Sequence, residues 1–232
     1  MLEHLDSIHL RHHMIDQQKL IGMLVGILAL EASRAGGVVV GEDLGVVPAY
    51  VSKSLSEHGI LGCAVEWFEQ FDGEFRAPKD WRPYALASVN THDLPPAAGY
   101  LEYGHVKLRE QLGLLSGPVE EFQKSAEAEH NAMLSMLVDE GYLDASALED
   151  ELANENEIID ALYRGLKGSP CKLMAASIVD AVGEKRTQNQ PGTSNEYPNW
   201  RIPLADGDGN VVPLEQLFDN TRLQEIAAIM RG

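Results

Sequence analysis

An α/β fold built on a parallel sheet is what this sequence predicts, and three observations carry it. Short, wholly or largely apolar runs recur at Val38 to Val40, Cys63 to Phe68, Tyr84 to Val89 and Leu173 to Val179. Each runs into polar or acidic residues: Gly41-Glu42-Asp43, then Glu69, then Asn90-Thr91-His92-Asp93, then Asp180. Helical spacing fills several of the intervals between them. A strand buried on both faces needs no polar alternation, so such runs separated by helices suit a parallel sheet covered on both sides.

The elements follow in order. Residues 1–18 hold four of the eight histidines and show no clear period, which reads as a tag or linker and not as fold or metal site. Leu20, Leu24, Ile27 and Leu28 share a helix face, and Gly36-Gly37 ends that helix. The apolar run at Val38 to Val40 is the first expected strand. A helix follows Pro48, with Tyr50, Val51 and Leu55 as its apolar positions. From Tyr103 to Leu166 the chain reads as mostly helical. Val119, Phe122, Ala126, Met133, Leu134, Leu137 and Val138 mark one stripe, ended by Asp139-Glu140-Gly141, and Ile158, Ile159, Leu162 and Leu166 mark the next. Asp206 to Asn210 reads as a turn, and Leu214 to Met230 as one closing amphipathic helix.

Composition narrows the function. With 232 residues and 44% hydrophobic content, the chain can bury a sizeable core. A formal net charge of -18 repels phosphate backbones and anionic lipid, so nucleic acid and membrane surfaces are poor partners and neutral ligands such as sugars stay open. No apolar run reaches the roughly 18–20 residues a bilayer span needs. Cys63 and Cys171 have no zinc-ligand spacing and read as thiols in a reducing, cytoplasmic setting.

Two acidic tips are the chemical candidates. Glu42 follows Gly41 at the end of one expected strand, and Asp93 follows His92 at the end of another. Paired carboxylates are what glycosyl transfer needs: one protonates the leaving oxygen, another attacks the anomeric carbon, a third favours the oxocarbenium-like state. The same residues serve equally well as caps of the helices that follow, and both readings stay open at this point. Asp43 reads as a structural partner holding its loop. His92 reads as a hydroxyl-binding group more economically than as a metal ligand with Glu42 and Asp93. Trp67, Phe68 and Trp200 are candidates for stacking on sugar faces, though aromatics in such folds more often pack the core.

Several motifs together resemble the amylomaltase, or disproportionating-enzyme, family of 4-α-glucanotransferases, of the bacterial maltodextrin-metabolising type. They are Gly41-Glu42-Asp43-Leu44-Gly45-Val46-Val47-Pro48, Phe75-Arg76-Ala77-Pro78-Lys79, and Ser88-Val89-Asn90-Thr91-His92-Asp93-Leu94-Pro95 followed by Gly99-Tyr100. Val179-Asp180-Ala181-Val182-Gly183, Asn189-Gln190-Pro191-Gly192-Thr193 and Pro198-Asn199-Trp200-Arg201 follow in the family's order. The resemblance implies the C-terminal half of a TIM (β/α)8 barrel with a helical insertion. It implies retaining transfer of α-1,4-glucan segments between maltooligosaccharides, with no cofactor and no metal. It casts Glu42 as general acid/base, Asp93 as transition-state stabiliser and His92 as substrate ligand; Asn189 and Trp200 stand as further substrate-binding candidates.

On that resemblance residues 19–102 hold barrel strands and helices with the catalytic tips, 103–170 the helical insertion, and 171–232 the last strand, loop and terminal helix. The family's nucleophile, an aspartate in an Arg-x-Asp-His pattern, has no counterpart here, and Asp16 does not match it. The expectation is therefore a piece of the enzyme, inactive by itself, dimerising to cover an open face. The competing expectations are a non-catalytic carbohydrate-binding or assembly module, and a metal-dependent hydrolase using His92, Asp93 and Glu42.

Overall fold

The computed structural model describes residues 19–232; the tag-like stretch at 1–18, with Asp16, lies outside them. The architecture is α/β. Among the described residues five short strands, β1 (Gly62–Val65), β2 (Gln70–Phe71), β3 (Glu74–Phe75), β4 (Ala85–Ser88) and β5 (Leu173–Ala175), lie among helices. One sheet has the order β1-β4-β5, and β2 and β3 form a separate pair. The described residues fall into two compact units. The first runs to Cys63 and takes in Arg82–Leu86, and the second holds Ala64–Trp81 and Ala87–Gly232, so the chain passes between units within β1 and again within β4.

In the first unit, helix α1 covers residues 19–34. Its ending is as expected: Gly36, at φ 66°, takes the left-handed turn that a Cβ disfavours, and the Gly37 amide reaches back to the Ala32 carbonyl at 2.8 Å. The expected apolar face is there but uncovered, with Leu20, Met23, Leu24, Ile27 and Leu28 each at least half exposed. The Val38 to Val40 run is less than the buried strand expected. Val40 makes a single parallel bridge to Leu61, and Val38 is 68% exposed, because pairing is limited to the Leu61 amide on Val39 and the Gly41 amide on Leu61. Helix α2 (Ala49–Glu57) follows Pro48, whose fixed φ of -59° suits a helix start.

The second unit holds the main core. Helix α5 (Val119–Asp139) buries Met133, Leu134 and Leu137, and α6 (Glu155–Gly168) buries Ile158, Ile159, Leu162, Tyr163 and Leu166 at 0–1% exposure. Those are the stripes the spacing foretold. Full burial of each such aliphatic side chain contributes about 1.5–3 kcal/mol, so this helix pair supplies much of the unit's cohesion. Shorter helices complete it: α3 (Ala97–Leu101), α4 (Gly104–Gln111), α7 (Ile178–Val182), α8 (Leu214–Leu217) and α9 (Thr221–Arg231). At Gly99 a Cβ would run into the backbone oxygen of Lys185, which is why no side chain fits there. In the β2–β3 hairpin, Gln70 pairs with Phe75 and Phe71 with Glu74 across Asp72-Gly73, both at positive φ, the geometry that lets two-residue hairpins close.

Three boundaries differ from expectation. The Leu173 to Val179 run is not one strand: β5 stops at Ala175 and α7 starts at Ile178, so Asp180 sits in a helix and not at a strand tip. The Cys63 to Phe68 run ends as a strand at Val65 and turns into a 3-10 helix over Glu66–Phe68. The closing helix is two, because the Asn220 side chain accepts from the Leu223 amide at 2.9 Å and starts α9 afresh. Among the described residues no helix is long and apolar enough to cross a membrane.

Candidate active site

Glu42 belongs to the first unit, while His92, Asp93, Asn189 and Trp200 belong to the second. Each tip has its own supporting structure.

Glu42 follows the Val40 bridge, and its side chain is exposed. Its neighbour Asp43 points the other way and is locked: the side chain is 3% exposed and takes Arg82 Nη1 at 2.5 Å, Arg82 Nη2 at 2.7 Å and the Cys63 amide at 2.9 Å. Burial pulls the Asp43 carboxyl upward, but the Arg82 and Cys63 hydrogen bonds outweigh it and hold the group below the usual carboxylate range. Arg82 also donates to the Cys63 carbonyl. Space for the guanidinium is made by Gly62, where a Cβ would lie 2.6 Å from Arg82 Nη1. At Gly41 a Cβ would meet Leu55 at 3.2 Å, so a small residue keeps α2 close under the loop. The structural role expected for Asp43 is what these contacts describe. Arg82 was not legible in the sequence, since nothing in its surroundings marks it as a partner of residue 43.

At the second tip, His92 is exposed and Asp93 half-buried. The Thr91 hydroxyl donates to Asp93 Oδ1 and orients it. The indole of Trp200 lies against His92, with ring centroids 4.9 Å apart and planes tilted by 34°. Trp200 is 65% exposed and holds a left-handed backbone, φ 60°, which aromatic residues seldom adopt. Its amide donates to the Gln188 carbonyl at 2.9 Å. Asn199 closes the loop, accepting from the Gln190 amide at 2.7 Å and donating to Thr193 Oγ1 at 2.9 Å. Asn189 meets the tip through its backbone, its amide donating to the His92 carbonyl at 2.9 Å. A cleft of about 320 Å³ opens here, lined by Asn90, Thr91, His92, Ser177, Arg186 and Gln188 among others. So His92, Asn189 and Trp200 are brought together.

Of the other aromatics, Trp67 is 4% exposed, stacks on Tyr100 at 4.0 Å and donates to the Pro95 carbonyl, which makes it core packing. Phe68 is half exposed. Among the described residues no three His, Cys, Asp or Glu side chains are arranged to hold a metal ion.

These features define the class as an α/β fold with its candidate groups in loops, Glu42 after the Val40 bridge and Asp93 after β4. A family model described as 4-alpha-glucanotransferase matches residues 17–207. The chain is 48% identical over 214 residues to the 4-alpha-glucanotransferase of Mycobacterium tuberculosis (strain H37Rv), a match covering 90% of this chain and 29% of that protein. It is 32% identical over 204 residues to the 4-alpha-glucanotransferase of Haemophilus influenzae, covering 87% of this chain and 28% of that one. In three dimensions it is similar to the amylomaltase of Corynebacterium glutamicum, with a TM-score of 0.83 and 40% identity over 90% of this chain and 30% of that chain. The chain belongs to the 4-alpha-glucanotransferase family. It spans under a third of the length of the relatives it matches.

Proposed function

We propose that this chain supplies the acid/base and transition-state carboxylates of a 4-α-glucanotransferase that moves α-1,4-glucan segments between maltooligosaccharides with retention. The observation that carries the reading is its 48% identity to a 4-alpha-glucanotransferase across nine-tenths of its length. We read the sheet as the C-terminal half of a (β/α)8 barrel, and residues 103–170 as a helical insertion in it.

In this reading Glu42 protonates the departing glycosidic oxygen and later takes a proton from the acceptor hydroxyl. Asp93, oriented by Thr91, stabilises the oxocarbenium-like sugar. His92 binds glucose hydroxyls, the exposed Trp200 ring offers its apolar face to a sugar face, and Asn189 holds the His92 backbone. The chemistry calls for no metal or organic cofactor, and a cytoplasmic site of action fits a polar, unlipidated glucan substrate. Retention also needs a nucleophile. The family's Arg-x-Asp-His pattern does not occur in these 232 residues, so by themselves they are expected to turn over no glucan. The uncovered face of α1 is suited to association of two copies.

Glucose release from maltotriose by the 232-residue chain, beside a Glu42→Gln variant, tests this. No release from either chain, together with maltotriose binding by both, is the expected result. Release that disappears in the variant would place a nucleophile within the chain and overturn the account of its incomplete site. Absence of binding as well as turnover would sink the glucan reading.

A further inference from the structure

A buried carboxylate far from either tip in sequence deepens this picture. Asp180 is 2% exposed. Its two oxygens take four hydrogen bonds: Asn90 Nδ2 at 2.8 and 2.9 Å, the Ala97 amide at 2.7 Å and the Tyr163 hydroxyl at 2.7 Å. Tyr163 is itself oriented, since its oxygen accepts from the Ser177 amide at 3.0 Å, which leaves its proton for Asp180. None of these donors is a cation. Burial pushes the Asp180 carboxyl above its ordinary range and these donors pull against it; a carboxyl this deep is tolerated because both its oxygens are met by donors.

What the carboxyl holds is the relevant point. Asn90 and Ala97 stand at the two ends of the segment 91–96, which carries Thr91, His92 and Asp93. One carboxylate therefore ties both feet of that loop to α7, and through Tyr163 to α6. Ala97 is the first residue of α3, so the same bond satisfies an amide that the helix start leaves without an intrahelical partner. We propose that Asp180 is a positioning residue, a clamp that fixes where His92 and Asp93 stand; as a statement about catalysis this rests on the glucanotransferase reading of that tip.

The clamp makes a specific demand on chemistry. Only a carboxylate offers acceptors on both oxygens, so Asp180→Asn turns an amide NH2 toward groups that are all donors. Exchanging the two partners, Asn90→Asp with Asp180→Asn, restores a donor-acceptor match between them.

The test is made by NMR on the 232-residue chain, following the His92 ring C–H and Trp200 indole N–H resonances. Leu162→Ala, in the buried face of α6 and outside the clamp, serves as the control for lost stability alone. Asp180→Asn is expected to shift both resonances as His92 leaves the Trp200 ring, Leu162→Ala to leave them in place, and the exchange double variant to return them toward wild type. Unmoved resonances in Asp180→Asn, or equal movement in Leu162→Ala, would overturn the clamp. If Asp180→Asn does not fold, the Asn90→Ala variant is read in the same way. Maltotriose titrated into the wild type asks the separate question: no response at His92 or Trp200 counts against the glucan reading and leaves the clamp result standing. With the family's nucleophile supplied, a displaced tip would lower turnover by up to about a hundredfold.

Discussion

Asp43 grips Arg82 with both of its carboxylate oxygens, at 2.5 and 2.7 Å, directly beside exposed Glu42. The pair turns a loop into a fixed support, because Asp43 also takes the Cys63 amide and Arg82 the Cys63 carbonyl. Arg82→Met is expected to destabilise the first unit by about 2 kcal/mol, since removing one partner strands a desolvated charge; the figure is kept below that of a fully buried pair because Arg82 is 38% exposed. The pH dependence follows from the sign of the shift. The folded-state carboxyl lies below its unfolded value, so its contribution is present above pH ~4 and is lost as pH falls through the folded value. Urea unfolding at pH 7 and pH 3 checks this: the gap between wild type and Arg82→Met should narrow on acidification.

Glu66 behaves in the opposite sense. It is fully buried, and neither carboxyl oxygen meets a hydrogen-bond donor. Burial, with Glu69 nearby, pushes its carboxyl up to about 8. The folded state then holds a proton that the unfolded chain releases above about pH 4.5, so stability falls as pH rises from there to about 8. Each pH unit in that window costs about 1.4 kcal/mol at most. Glu66→Gln keeps the shape without the ionisation, and its stability should exceed that of wild type at pH 8 by up to about 4 kcal/mol and match it near pH 5. Parallel stability profiles for the two proteins would count against a buried neutral Glu66.

Trp200 holds a strained backbone, and that strain is legible in a substitution. Trp200→Gly is expected to leave the melting temperature unchanged or slightly raised, because glycine takes φ 60° freely. The same change removes the ring beside His92 and should weaken maltotriose binding about tenfold, equivalent to roughly 1.4 kcal/mol. Calorimetric titration and thermal melts on one preparation separate the two effects. Unchanged affinity would remove Trp200 from the substrate site.

The exposed stripe of α1 predicts association. Five aliphatic side chains, Leu20, Met23, Leu24, Ile27 and Leu28, each at least half exposed on one helix, form a continuous apolar strip. Light scattering should show a mass that rises with concentration, and the double substitution Leu24→Glu and Ile27→Glu should abolish the rise without lowering the melting temperature. A concentration-independent monomer in the wild type would refute the association.

The sequence carried the helices of the second unit well, because the spacing of Ile158, Ile159, Leu162 and Leu166 is local and their burial follows from it. Its motifs named Glu42, His92 and Asp93 as candidates, and the structure brings His92 into contact with Trp200 and Asn189. The sequence misjudged the Val38 to Val40 run, where apolar β-branched residues suit a buried strand but the pairing amounts to one bridge, Val40 with Leu61. It read past Ala175, because nothing in an unbroken apolar run marks where β5 gives way to α7. The supports of both tips were hidden for another reason. Arg82 with Asp43, and Asp180 with Asn90, pair across 39 and 90 residues, and no periodicity encodes contacts at that range.

The three tryptophans are unevenly placed: Trp67 and Trp81 are 4% and 2% exposed, while Trp200 is 65% exposed. Their emission should therefore separate into a blue, quencher-resistant component and a red component that acrylamide removes. The red light comes from the one indole that lies beside His92. The protein thus carries an intrinsic fluorophore at its second tip, and a sugar that covers that ring would announce itself as a blue shift and a loss of quenching, with no label attached.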